Sequence, residues 1–197
     1  MNKASPKGGG IWARWQVKVH DKNGILICHH QGPSHSFVRN FGLFVRAMFD
    51  APDGTVNPDM TDSGGVIRRP RVLSHTEMSN NSTAILNGSS IIRFGNSAAA
   101  EDSTQTDLQG TELGTGGTVT ETLINEDTVS TEFEVEGSVT NAGASFTVEE
   151  LGLFMQMVDI SVVTRDVMIL RDLLQTGPVT VPNSSTITGT YNFVIPV

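Results

Sequence analysis

The chain has 197 residues, enough for one domain with a buried core, and 21 acidic against 13 basic residues give it a net charge of −8. That balance argues against a general nucleic-acid binder, which needs a basic footprint. One cysteine excludes an intramolecular disulfide framework and a cysteine-rich zinc site. Only 38% of residues are hydrophobic and 17% charged, with Gly, Ser, Thr and Asn making up the difference. This is a strand-and-turn profile. No apolar run is long enough for a membrane helix, and the polar start does not read as a signal peptide, so synthesis and folding in a cytoplasm are expected.

Residues 1–10 (MNKASPKGGG) read as a flexible arm, and 11–197 as a single domain. Two apolar runs flank Asp21-Lys22-Asn23-Gly24, predicting a hairpin with strands at 11–20 and 25–30. Phe37, Val38, Phe41, Phe44, Val45 and Met48 then fall at helical spacing. They predict one amphipathic helix at about 36–49, capped by Ser34 or Ser36 and ended by Ala51-Pro52-Asp53-Gly54. Residues 51–66 and 96–118 read as long loops, with short strands at 71–75, 83–87 and 90–94 between them.

From Val129 the alternation is strict. Val129, Thr131, Phe133, Val135, Gly137 and Val139 share one face, and Glu132, Glu134 and Glu136 lie on the other. Further strands follow at 146–155, 167–170 and 187–197, the last with Tyr191 and Phe193 on its apolar face. The predicted fold is mainly β, an antiparallel β-sandwich with one N-terminal helix.

Few residue sets point to chemistry. Cys28, His29, His30 and His35 are the best metal candidates, but neighbours on a strand point to opposite faces, so Cys28 and His29 do not share an ion. Gly114-Thr115-Gly116-Gly117-Thr118 has the glycine content of a phosphate loop without its Lys-Ser/Thr or its strand–loop–helix setting, and reads as a hairpin tip. Glu149, Glu150 and the Glu132 row raise acid–base or calcium chemistry, yet a row of carboxylates on one strand face is ordinarily solvation and edge protection. Trp12 and Trp15 are three apart on a strand, hence on opposite faces, one in the core and one at an interface. Arg68, Arg69 and Arg71 form the basic concentration, suited to docking on a partner's carboxylates. No catalytic residue, cofactor or metal is expected. Lys3, Lys7, Trp12, Arg68, Arg69 and Arg71 are the expected partner contacts, with the arm lying on a neighbouring subunit.

Four segments, in order, resemble phage virion structural proteins of the tail-collar, appendage-anchoring or head-decoration type. They are Ile92-Arg93-Phe94-Gly95-Asn96 with Asp102 to Leu108, then Glu150-Leu151-Gly152-Leu153-Phe154. Val167-Met168-Ile169-Leu170-Arg171-Asp172 follows, and last Pro178-Val179-Thr180-Val181 with Thr188 to Phe193. Residues 156–166 are less polar than the Asp-Gly turn of that pattern, and the helix at 36–49 is absent from simple collar domains. The resemblance implies a non-enzymatic virion subunit working through symmetric contacts with its own copies and other virion proteins. The acidic balance and the lack of a long apolar run make nucleic acid and membrane unexpected partners. The alternatives are a capsid decoration protein and, from another class, a carbohydrate-binding adhesin module.

Overall fold

The computed structural model describes residues 11–34, 37–43, 59–68, 91–114, 116–126, 129–159, 161 and 163–196. The arm at 1–10, the strands expected at 71–75 and 83–87, His35, Ser36, Arg69, Arg71 and the chain end at Val197 lie outside them.

The strands are β1 (Trp12–His20), β2 (Leu26–Ser34), β3 (Met60–Thr61), β4 (Ile67–Arg68), β5 (Ile91–Gly95), β6 (Gly117–Glu126), β7 (Ser130–Thr140), β8 (Phe146–Val148), β9 (Glu150–Val158), β10 (Thr164–Leu173), β11 (Val179–Val181) and β12 (Thr186–Pro196). Eight of them form one antiparallel sheet in the order β10-β9-β5-β6-β7-β12-β1-β2, and β11-β8 and β3-β4 are small two-stranded sheets. Among the described residues the fold is therefore mainly β, with several antiparallel sheets and one short helix.

The large sheet bends where β5 meets β6. That pairing holds only Ile91 and Ile92 against Thr118 and Gly117, whereas β6 runs along β7 from Val119 to Glu126. The bend brings the apolar faces of β5 and β9 over β7 and β12. A Cβ on Gly189 of β12 would stand 2.9–3.0 Å from Ile92, Phe94 and Leu151. The bare backbone of glycine is what lets these side chains seat there. Tyr191 donates its hydroxyl to the Leu151 carbonyl at 3.2 Å across the same gap. Trp15, Phe94, Leu151, Ile187 and Tyr191 fill this core with essentially no exposed surface. Burial, and then the Asp172 carboxylate, push the Tyr191 phenol well above its ordinary pKa, so it stays a neutral donor. Trp15 in turn lies over Gly32 of β2, where a Cβ would be 2.7 Å from the indole.

Several expectations hold. The β1–β2 turn, the β7 alternation and the split of Trp12 and Trp15 between faces are found, with Trp15 in the core and Trp12 half-buried. Others are corrected. Ser34 is not a helix cap but the last residue of β2, where its hydroxyl donates to Asp172 at 2.7 Å. Phe37 is not helical either. It forms an antiparallel bridge with Leu170, and the described helical turns cover 39–43. The span read as a loop at 51–66 contains the start of a hairpin, β3–β4, which Asn40 holds by pairing with both the amide and the carbonyl of Thr61. β6 falls in a stretch for which no strand was expected. Ile195 continues the apolar face of β12 but is 36% exposed, because that face runs past the core there.

Candidate functional site

The most heavily built polar centre sits where β9 and β10 meet the 96–112 segment. Glu150 opens β9 and Arg171 lies in the apolar run of β10, and both have zero exposed surface. Arg171 Nε donates to Glu150 Oε2 at 2.7 Å. Its other nitrogens reach the Gln105 side-chain oxygen at 2.9 Å and the Ala99 carbonyl at 2.9 Å. Glu150 also accepts from the amides of Gln109 (3.1 Å) and Gly110 (2.8 Å). Glu101 adds a clamp from the other side, accepting the Leu173 amide at 2.8 Å. A long segment without secondary structure is thus fastened to the sheet by one cation and two carboxylates. With the Ala100 carbonyl at 3.4 Å the planar guanidinium serves four acceptors at once, more than the three donors of an ammonium.

A second network surrounds Arg93 of β5. Its guanidinium lies 4.2 Å over the Phe154 ring, bonds Asp166 of β10, and stands 3.4 Å from Glu112 and 3.8 Å from Asp107. Gln156 donates to the other Asp166 oxygen at 3.1 Å. Burial is the chief reason the Asp107 carboxyl is held above the usual carboxylate range, and Glu112 adds to it. The Leu108 amide and Arg93 pull the other way.

The third feature is an open trough of about 610 Å³ across the outer face of the large sheet. Arg14 and Gln16 of β1, Gln31 and Pro33 of β2, Thr190 and Asn192 of β12, and Glu132 and Glu134 of β7 line it. Register sets Arg14 beside Asn192, and Asn192 beside Glu134, so a cation and a carboxylate face each other two strands apart over a neutral floor. At the trough's rim, Arg14 stacks on the half-buried Trp12 ring at 4.9 Å.

The candidates named from sequence are dispersed. Cys28 packs against the core and His29 lies on the opposite face, 2.8 Å from Gln16, while His30 meets Thr176 at 2.6 Å. Among the described residues no group of three or more potential ligands could hold a metal ion. The glycines at 114–118 are no hairpin tip. Gly114 and Gly116 take positive φ, and a Cβ on Gly116 would strike Ile91 at 2.4 Å, so this is a packed entry into β6. Glu149 and Glu150 do not act together. Glu150 is internally paired, and Glu149 contributes its backbone to the turn beside Gly95 and Leu174. The Glu132 row lies on the outer face as expected. Arg68 donates to Asp62 at 2.7 Å within its own hairpin.

The roles of Arg93, Arg171 and Glu150 were not foreseen, although a signal exists. Each is a charged residue next to large apolar neighbours in a strand: Ile91-Ile92-Arg93-Phe94, Ile169-Leu170-Arg171, and Glu150-Leu151. A charge in such a place must find a partner inside the protein. Comparison with family models, with curated proteins and with solved structures finds no match.

Proposed function

We propose that this chain is a non-enzymatic structural subunit of a bacteriophage virion, of the tail, collar or appendage-anchoring type. It works in a symmetric assembly with copies of itself and with other virion proteins, and resides in the particle after synthesis in the host cytoplasm. The observation that carries the reading is the use made of the virion-like segments. Glu150 and Arg171 belong to two of them, Gln105 and Arg93 to another. Through these four side chains one irregular segment is fastened to the sheet: Arg171 holds Gln105, Glu150 holds Arg171 and the 109–110 amides, and Arg93 reaches Glu112. They are committed to internal bonds, as suits a scaffold whose loops must keep their shape when presented to neighbours. We read the bent sheet, with β5 and β9 facing β7 and β12, as a sandwich-like scaffold of the kind that tiles through its edges and loops.

Deleting the coding sequence from its phage tests this. The reading predicts lysates whose particles lack one morphological part, restored by supplying the chain in trans. Complete, infectious particles in its absence would overturn it. Attachment of the missing part to the head rather than the tail would favour the decoration form.

The trough supports a second reading, a carbohydrate-binding adhesin. Planar polar side chains (Arg14, Gln16, Gln31, Glu134, Asn192) along an outer-face trough with Trp12 at its rim are suited to hydroxyl-rich ligands. A glycan array with a Trp12→Ala control separates the two readings.

A further inference from the structure

The strands of the large sheet from β6 to β2 leave two backbone edges without a strand partner among the described residues. One is β2, paired only with β1. The other is β6 over residues 119–124, paired only with β7. Four successive antiparallel pairings separate them, so β2 and β6 run in the same direction.

The two ends carry opposite charge. Residues 12–34 hold Arg14, Lys18, Lys22 and three histidines against one carboxylate, Asp21, whose oxygens bind its own turn. Residues 117–137 hold six carboxylates (Glu121, Glu126, Asp127, Glu132, Glu134 and Glu136) and no Lys, Arg or His. Among the described residues Arg14, Lys18, Glu121 and Glu134 join no ion pair. Each edge also exposes large apolar side chains, Leu26 and Ile27 on β2 at 49% each, Leu123 and Ile124 on β6 at 60% and 50%. Open, apolar edges are the places where sheets add strands.

We propose that a second copy of this chain occupies each edge, the β2 edge of one copy lying parallel to the β6 edge of the next. Head-to-tail contacts of this kind use two different surfaces and close into a ring when the rotation permits. Strand rows fix the pairing for copies at equal height. His30, Val17, Gly189, Gly137 and Val119 share one row, and Ser34, Ala13, Phe193, Phe133 and Leu123 another. Residues 30–34 of β2 therefore meet 119–123 of β6 in the next copy, which brings Leu123 to the contact and leaves Leu26 and Ile27 beyond its end. Glu121 falls beside Gly32, which offers no side-chain bulk, with His30 as its diagonal neighbour. On the outer surface Arg14 then lies in the row of the neighbour's Glu134, and Lys18 in the row of its Ser138, diagonal to Glu136, each three strands away. These groups set the sign of the two ends and form no ion pair across the seam. The proposal rests on the symmetric-assembly reading above and names the surface that performs it.

Sedimentation velocity on two charge-reversed variants tests it. In the first, Glu121→Lys and Glu134→Lys reverse the acidic end. In the second, Arg14→Glu and Lys18→Glu reverse the basic end. The wild-type chain is expected to show a concentration-dependent oligomer. Each variant alone is expected to weaken association severalfold at low salt, since both ends then carry the same sign, and the effect is expected to fade as salt is raised. An equimolar mixture is expected to associate again, because each variant's unaltered end matches the other's. Wild-type oligomers unchanged by both reversals would overturn the edge assignment while leaving the assembly reading standing. A wild-type chain that is monomeric at all concentrations overturns the edge assignment too, and particle incorporation then decides the assembly reading separately. Should a variant fail to fold, hydrogen exchange on the wild type serves instead. Protection at 119–123 and 30–32 must rise with concentration, and protection independent of concentration refutes the contact.

Discussion

Arg171 is a cation with no exposed surface, held by Glu150, Gln105 and the Ala99 carbonyl. Removing one member of a buried pair leaves the other charge uncompensated, at a cost of about 3–5 kcal/mol. Arg171→Met is therefore expected to lower stability by that amount in urea denaturation. Arg171→Lys should recover little of it, and cleavage within 96–112 should accelerate in limited proteolysis. Asp107 behaves in the opposite sense. Its folded-state pKa is raised, chiefly by burial, so its protonated form favours the fold. The stability this contributes is complete below the ordinary carboxylate pKa and is lost as pH rises through the folded value. Asp107→Asn keeps an oxygen for the Leu108 amide and is expected to stabilise the protein at pH 7. That gain should vanish as denaturation curves are repeated at progressively lower pH.

Three hairpins share one turn device. Asp21, Asp62 and Asp159 each accept the amide four residues on, from Ile25 (2.9 Å), Val66 (2.8 Å) and Val163 (3.1 Å). Each also donates its own amide to that residue's carbonyl. In two of them an arginine six residues on closes the motif, Arg68 on Asp62 at 2.7 Å and Arg165 on Asp159 at 3.0 Å. For Asp62, burial raises the carboxyl pKa, but the Arg68 and Val66 bonds outweigh it, and the net direction is down. The turn's stability is then present above the ordinary aspartate pKa and lost as pH falls through the folded value. Asp62→Ala is expected to cost about 1–3 kcal/mol of local stability, read as faster amide exchange across 59–68. The first of these turns is plain in the sequence because Asn23-Gly24 follows Asp21. The Asp62 hairpin is harder to read, since its strands are two residues each and carry no period. β6 escapes notice for another reason. Its residues Glu121 and Leu123 share the face of Val119, so polar and apolar side chains mix where the face runs beyond the core.

At the scale of the whole molecule, the bent sheet depends on close approach at Gly189. Gly189→Ala places a methyl within 3.0 Å of Ile92, Phe94 and Leu151, and is expected to cost about 1–3 kcal/mol by overpacking. Phe193→Ala, which empties a buried position stacked 4.8 Å from Phe133, should cost about 3–5 kcal/mol. Alternation in the last third of the chain makes the faces of β7 and β12 legible in advance. What no alternation discloses is long-range pairing, such as Arg171 with Glu150 or Ser34 with Asp172, because partners far apart in sequence leave no local period. The same holds for the trough, whose lining comes from four strands that become neighbours only through the sheet order. The central claim is that this scaffold works as a particle component, and quantitative mass spectrometry of gradient-purified phage particles tests it most directly. The account predicts the chain at a fixed copy number per particle, a multiple set by the symmetry of the part it builds. Its recovery only in the soluble fraction, with none in purified particles, would contradict that claim.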